Sequence, residues 1–244
     1  MAPIRKGDGT PLEIPGVQEV RTGDGRVFFE GDAIPDIPDE QDLHARYDAT
    51  ELPLSDGNSV TTWTDETGNG FDLTAGAAPT YVASGINGNP SVRFDGVDDF
   101  LDVAFSTITQ PFTVFIVFDA AADSTLSRIL FRESGDTFAL SSDASNNIGL
   151  FAGDSITGGS VGSPTIVSGL PNGTSSVLRQ DGTQVASGDA RTNGLNGLTV
   201  GSDSGGSGNF LDGDIGEILI YPQDKSAIFA DVENYFSIKW NITI

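Results

Sequence analysis

From about residue 42 onward the chain alternates short β-prone runs with punctuation by Gly, Asp, Ser and Asn. Counting such runs predicts strands at residues 60–64, 91–94, 100–103, 112–118, 128–132, 137–140 and 148–151. After a Gly/Ser-rich stretch at 158–163, further strands are predicted at 165–167, 198–200 and 215–221. Between them, runs at 175–180 and 183–186 flank Asp181-Gly182, the dipeptide of a tight hairpin turn. Many short strands at this spacing predict an all-β antiparallel sandwich or jelly roll. The period changes once, near the end. Ile228, Val232, Tyr235, Phe236 and Trp240 form one apolar stripe at helical spacing, which predicts a helix over 226–240. Asp224 or Ser226 can cap it by accepting an orphan amide.

Residues 1–40 read differently. Thr22-Gly23-Asp24-Gly25-Arg26 joins two β-prone runs, 17–21 and 26–30, and predicts a hairpin arm. Pro35 and Pro38 then favour an extended linker. The chain therefore divides into an arm with linker, 1–40, and a sandwich domain, 41–244. A lone two-stranded hairpin is marginal in water. Its apolar residues are Val17, Val20, Val27, Phe28 and Phe29, three of them consecutive, so they face both sides of a strand. Burial between subunits would cover both faces, and a homo-oligomer of three or five copies is expected.

Charge narrows the choice of partners. There are 35 acidic residues against 12 basic ones, a net charge of −23, with Asp outnumbering Glu by 26 to 9. The acids run from Asp8 to Glu233 and coat the whole surface. Nucleic-acid binding through a basic patch is excluded, because phosphates would be repelled. Such a coat repels itself at low ionic strength and is screened in molar salt; the composition resembles that of proteins from salt-loving organisms. With no Cys and one His, disulfides, thiolate metal sites and His-based zinc clusters are excluded. The longest apolar run, Val114 to Phe118, is far too short to cross a membrane as a helix, and no signal-peptide pattern opens the chain.

Four ordered signatures in the second part resemble the laminin-G-like, concanavalin A-like lectin/glucanase sandwich. They are Leu43-His44-Ala45-Arg46-Tyr47-Asp48-Ala49; Trp63-Thr64-Asp65-Glu66-Thr67-Gly68-Asn69-Gly70-Phe71-Asp72; Pro90-Ser91-Val92-Arg93-Phe94-Asp95-Gly96-Val97-Asp98-Asp99; and Gly213-Asp214-Ile215-Gly216-Glu217-Ile218-Leu219-Ile220-Tyr221, followed by the helix. The resemblance implies two antiparallel sheets and functions in glycan binding or adhesion, but fold alone does not settle the role. The arm, with its Thr-Gly-Asp-Gly-Arg-Val hairpin and Ala-Ile-Pro-Asp segment, resembles leaders of surface proteins of haloarchaeal tailed viruses. Together the two resemblances imply a non-enzymatic virion surface protein, a capsid turret or tail-fibre subunit assembled in the host cytoplasm. Its partners would be further virion proteins and host surface glycans. The alternative is a cellular carbohydrate-binding or carbohydrate-processing protein of a halophile.

Candidate chemistry is sparse. Glycoside hydrolysis needs two carboxylates facing one bond, which catalytic relatives of the sandwich place at alternate positions of one strand. Here Asp214 and Glu217 are three apart and are expected on opposite faces, so no enzyme is expected. Gly158-Gly159-Ser160-Val161-Gly162 matches a nucleophile pattern without its strand-to-helix setting, and His44 has no evident catalytic partner. A structural Ca2+ is a candidate, since its sites collect carboxylate and carbonyl oxygens. Asp98, Asp99 and Asp214 are its expected ligands, because the resemblance implies that first and last strands adjoin. Asp65, Thr67, Asn69 and Asp72 also offer oxygens at alternating spacing, although Asp and Asn in such turns commonly bond their own backbone. Phe138, Phe151 and Phe210, beside polar loops, are candidate platforms for stacking on a sugar.

Overall fold

The structure is a computed structural model that describes residues 19–21, 27–29, 34–122, 127–132 and 138–244; the side chains of 19–21, 27–29, 127, 131 and 132 fall outside that description. The chain splits into two units, Met1–Asp36 and Ile37–Ile244. In the first, β1 (Glu19–Arg21) pairs antiparallel with β2 (Val27–Phe29), Val20 opposite Phe28. Val17 lies outside the described residues, as do the side chains of Val20, Val27, Phe28 and Phe29.

The second unit begins with β3 (Ala45–Asp48), β4 (Thr62–Trp63), β5 (Leu73–Ala77), β6 (Thr80–Val82), β7 (Ser91–Asp95), β8 (Phe100–Ile108) and β9 (Thr113–Ala120). It continues with β10 (Ser127–Arg132), β11 (Phe138–Ser142), β12 (Ile148–Phe151), β13 (Ser155–Gly158), β14 (Thr165–Leu170), β15 (Ser176–Gln180), β16 (Thr183–Gly188), β17 (Leu195–Val200) and β18 (Asp212–Tyr221). An α-helix, α1 (Phe229–Trp240), follows, the one α-helix among the described residues. The strands form two antiparallel sheets. The front sheet runs β13-β12-β11-β10-β17-β8-β5-β4, and the back sheet β16-β15-β14-β9-β18-β7-β6, with β3 also paired to β18. The fold is thus a jelly-roll sandwich with one C-terminal helix.

The continuous apolar run of β9 has a direct cause. Val114, Ile116 and Phe118 face the core between the sheets, while Phe115 and Val117 face the other way, beneath α1. A strand buried on both faces carries no polar alternation. Phe229, Val232, Phe236 and Trp240 of the helix close over Phe115, Val117, Leu219 and Tyr221 of the back sheet. The helix stripe read from the sequence is its buried face. Asp224 does accept the Ser226 amide, at 2.8 Å, at the head of the 3-10 turn Ser226–Ile228 that leads into the helix.

The last strand carries a bulge. Ile215 pairs with Phe118 and Glu217 with Val117, so Gly216 is skipped. A Cβ on Gly216 would lie 2.6 Å from the Trp240 ring, so only glycine fits against the helix there. The extra residue also overturns the expectation for Asp214 and Glu217. Both stand on the outer, helix-side face of the back sheet, because the bulge restores the alternation that their spacing breaks.

Candidate functional site

Along one edge β18 pairs first with β7 and then with β3. Opening and closing segments are therefore adjacent, as expected, but the register differs from the expected ligand set. Asp212 lies opposite Asp95, and Asp214 opposite Arg93. Asp214 accepts from Ser91 Oγ at 2.6 Å and from Arg93 at 3.2 and 3.0 Å. Its charge is met by the guanidinium, and the group of acids that forms is Asp95, Asp98 and Asp99, with one oxygen from each within 4.8 Å of the others. Asp95 replaces Asp214 in the candidate metal site. The loop turns at Gly96, whose φ is 76°. Asp95 Oδ1 accepts the Val97 amide at 2.8 Å, and Asp99 Oδ2 accepts the Asp95 amide at 3.1 Å. Burial, and then the neighbouring Asp95 and Asp98, push the Asp99 carboxyl up in pKa. Three hard carboxylates in mutual repulsion are donors suited to a divalent cation such as Ca2+.

The second oxygen-rich segment is spent on its own turn. Asp65 Oδ1 accepts the amides of Arg46 and Thr67, both at 3.1 Å, and Oδ2 that of Phe71 at 3.2 Å. Asp72 in turn accepts the Asp65 amide at 2.9 Å. This is a backbone-capping turn, clipped to the free edge of β3 by Glu66 N–H donating to the Arg46 carbonyl at 2.9 Å.

Beside that turn lies an open cleft of about 360 Å³. One wall comes from the 3-10 turn Glu40–Asp42 and the start of β3, with Glu40, Gln41, Leu43 and Arg46. The other comes from Glu66, Thr67 and Asn69 of the capped turn. Asn69 Nδ2 donates to the carbonyls of Leu43 at 3.3 Å and His44 at 3.1 Å, which ties the two walls together. The Arg46 guanidinium is fixed by three carboxylates, Glu40 at 3.3 Å, Asp48 at 2.9 Å and Glu217 at 3.2 Å. Among the described residues, the side chains of Glu66 and Gln41 make no hydrogen bond. Burial and the nearby Glu51 raise the pKa of Glu66.

Behind Arg46 a network centred on two buried carboxylates joins β3, β18 and α1. Glu217 accepts from Tyr235 Oη at 3.0 Å, Lys239 Nζ at 2.6 Å and Trp240 Nε1 at 3.2 Å. Asp48 accepts from Lys239 and from the Thr50 amide at 2.9 Å. The two carboxylates are buried and are met by two partly exposed cations, and Glu217 is sealed beneath the helix. Burial works against the Asp48 charge, yet Lys239 and Thr50 hold its carboxyl below the usual range. No sequence pattern announced this network; its members lie as far as 191 residues apart.

The aromatic candidates separate by burial. Phe138 has no exposed surface and packs edge-on against Phe112, with centroids 5.3 Å apart, so it is a core ring with no face free for a sugar. Phe151 and Phe210 are half-buried, on β12 and in the loop before β18. His44 stacks on Phe71 at 4.6 Å and meets Phe105 edge-on at 4.7 Å. Ser160 sits in the loop between β13 and β14, its amide donating to Gln180 at 3.0 Å, with no helix behind it.

No protein-family model and no curated protein matches the sequence. Solved structures do match in fold. The binding domain of Paraclostridial Mosquitocidal Protein 1 aligns over 83% of this chain and 53% of its own, at 13% identity and a TM-score of 0.62. A Trypanosoma rangeli sialidase in complex with sialic acid aligns over 87% of this chain, at 13% identity and a TM-score of 0.59. The chain spans only 34% of that sialidase. Domain 4 of AbnA, a GH43 extracellular arabinanase from Geobacillus stearothermophilus in complex with arabinotriose, aligns over 73% of this chain and 91% of its own, at 14% identity and a TM-score of 0.54.

Proposed function

We propose that the protein is a non-enzymatic surface subunit of a tailed virus of a salt-loving archaeon, a capsid turret or tail fibre, whose sandwich domain attaches to host glycans. The observation that carries the glycan half is the fold, shared with an arabinanase domain in complex with arabinotriose and with the binding domain of a toxin. The acidic coat supports the high-salt setting. The separate N-terminal unit with its paired strands supports an assembly arm. Glu217 sealed under α1 and Asp214 tied to Arg93 support a binding role over hydrolysis, which needs a reachable carboxylate pair. Asp95, Asp98 and Asp99 would hold a structural Ca2+ that neutralises their loop. The likeness to sialidase and arabinanase structures equally supports a cellular carbohydrate-binding or carbohydrate-processing protein; portal, capsid and tail genes beside this one would decide for the virion.

The test is a glycan array read in high salt beside an assay for release of reducing ends. Retention of at least one glycan without release is expected. No retained glycan, or turnover, would remove the corresponding half of the reading.

A further inference from the structure

We infer that the cleft between the 3-10 turn Glu40–Asp42 and the Asp65–Asp72 turn is the sugar subsite, and that it takes a neutral, hydroxyl-rich sugar and rejects carboxylated ones. This deepens the glycan-binding reading and rests on it. At about 360 Å³ the cleft stands at the small end of ligand pockets, which suits one terminal unit better than a long chain. Its walls present carboxylates, a guanidinium, amides and a hydroxyl, with Leu43 the one apolar lining residue. Such alternation of donors and acceptors complements sugar hydroxyls, each of which both donates and accepts.

The walls are already ordered. Arg46 is fixed by three carboxylates, and the opposite turn by Asp65 and by Asn69 bonding across to Leu43 and His44. Binding therefore immobilises little that is not immobile beforehand. With its Nδ2 engaged, Asn69 has its Oδ1 available to accept, and Glu66 and Gln41 have their polar ends uncommitted among the described residues. A carboxylate such as Glu66 can accept from two adjacent hydroxyls at once.

Charge decides the class of sugar. The Arg46 cation is already matched by Glu40, Asp48 and Glu217, so it has no net charge to offer an anion. Glu40 lines one wall of the cleft and Glu66 the other, and a uronic or sialic carboxylate bound between them would meet like charge.

The full-length protein, in high salt, is passed over an array that pairs each neutral terminus with its carboxylated counterpart: galactose with galacturonate, glucose with glucuronate, and galactose with sialyl-galactose. The retained sugar is then titrated calorimetrically against wild type, Glu66→Ala, Gln41→Ala and Phe151→Ala, with melting curves on each. Neutral termini should be retained and their carboxylated partners not. Glu66→Ala should bind about tenfold more weakly, the loss expected for one charged hydrogen bond, with melting unchanged. Gln41→Ala should weaken binding less; Phe151 is the rival platform, and loss of binding in Phe151→Ala with both cleft variants at wild-type affinity would place the subsite on β12 instead. Wild-type affinity in both cleft variants would overturn the site while leaving glycan binding in place. Preference for carboxylated termini would overturn the class, and failure of wild type to retain any sugar would bring down the glycan reading and this inference together.

Discussion

At the scale of single residues, His44 shows how context rewrites a side chain. It is the only histidine, wedged between Phe71 and Phe105, with Nε2 buried and unpartnered. Burial lowers its pKa below the ordinary 6.5, and the Asp65 carboxylate opposes that shift only in part. As pH falls below 6.5 the unfolded chain takes up a proton that the folded one refuses. Its contribution to stability is therefore complete above 6.5 and is lost as pH drops through the window beneath. One histidine gives one imidazole resonance, so an NMR titration reads the site directly, and its midpoint should fall below 6.5. Denaturant unfolding between about pH 8 and pH 5 should show a decline that His44→Gln reduces; a midpoint at or above 6.5 would contradict the burial argument. The sequence showed that this imidazole lacked a catalytic partner but not the aromatic clamp around it. Burial was equally invisible for Phe138, Phe151 and Phe210, which look alike beside polar loops. Only packing against Phe112, which leads into β9 of the opposite sheet, makes Phe138 a core residue.

At the scale of elements, legibility followed side-chain character. The runs rich in β-branched and aromatic residues became β9, β12 and β18, and Asp181-Gly182 became a turn with φ of 46° and 76°, both positive as its hairpin type requires. The strands not predicted from the pattern, β3, β5 (Leu-Thr-Ala-Gly-Ala), β6 and β13, are short or rich in small residues, and pairing with neighbours defines them. The bulge at Gly216 is the costliest omission, since it reversed the face assigned to Glu217. It also makes a sharp prediction. Gly216→Ala would drive a methyl group into the Trp240 ring and should destabilise the domain by about 1–3 kcal/mol, the usual cost of overpacking. Denaturant unfolding should show that cost shrink in a Trp240→Leu background, which vacates the space. Equal cost in both backgrounds would place the strain in the strand itself and not at the helix contact.

At the scale of the molecule, charge and assembly dominate. Each of the seven described lysine and arginine side chains already sits in an ion pair, so among the described residues the other acids have no further cation to offset them. Dialysis from ~1 M to ~0.1 M salt lengthens screening from ~3 Å to ~10 Å, and circular dichroism should then record loss of the β signal; full retention would remove the high-salt argument. The arm poses a separate question, because Ile37–Ile244 is a compact unit with its own core, while a two-stranded hairpin cannot bury one. Val20 is the register partner of Phe28, and the sequence places Val27, Phe28 and Phe29 consecutively, where successive residues of a strand alternate faces. A symmetric oligomer covers both faces and the open strand edges at once. It would also set several weak sugar subsites side by side and raise avidity without tightening any one of them. Light scattering in high salt should therefore find three or five copies of the full chain, and a folded monomer once residues 1–36 are deleted. The deleted form should keep its single-site sugar affinity in solution yet lose retention on a dense glycan surface. A monomeric full chain, or a truncated form that still assembles, would show that the arm does not hold the copies together.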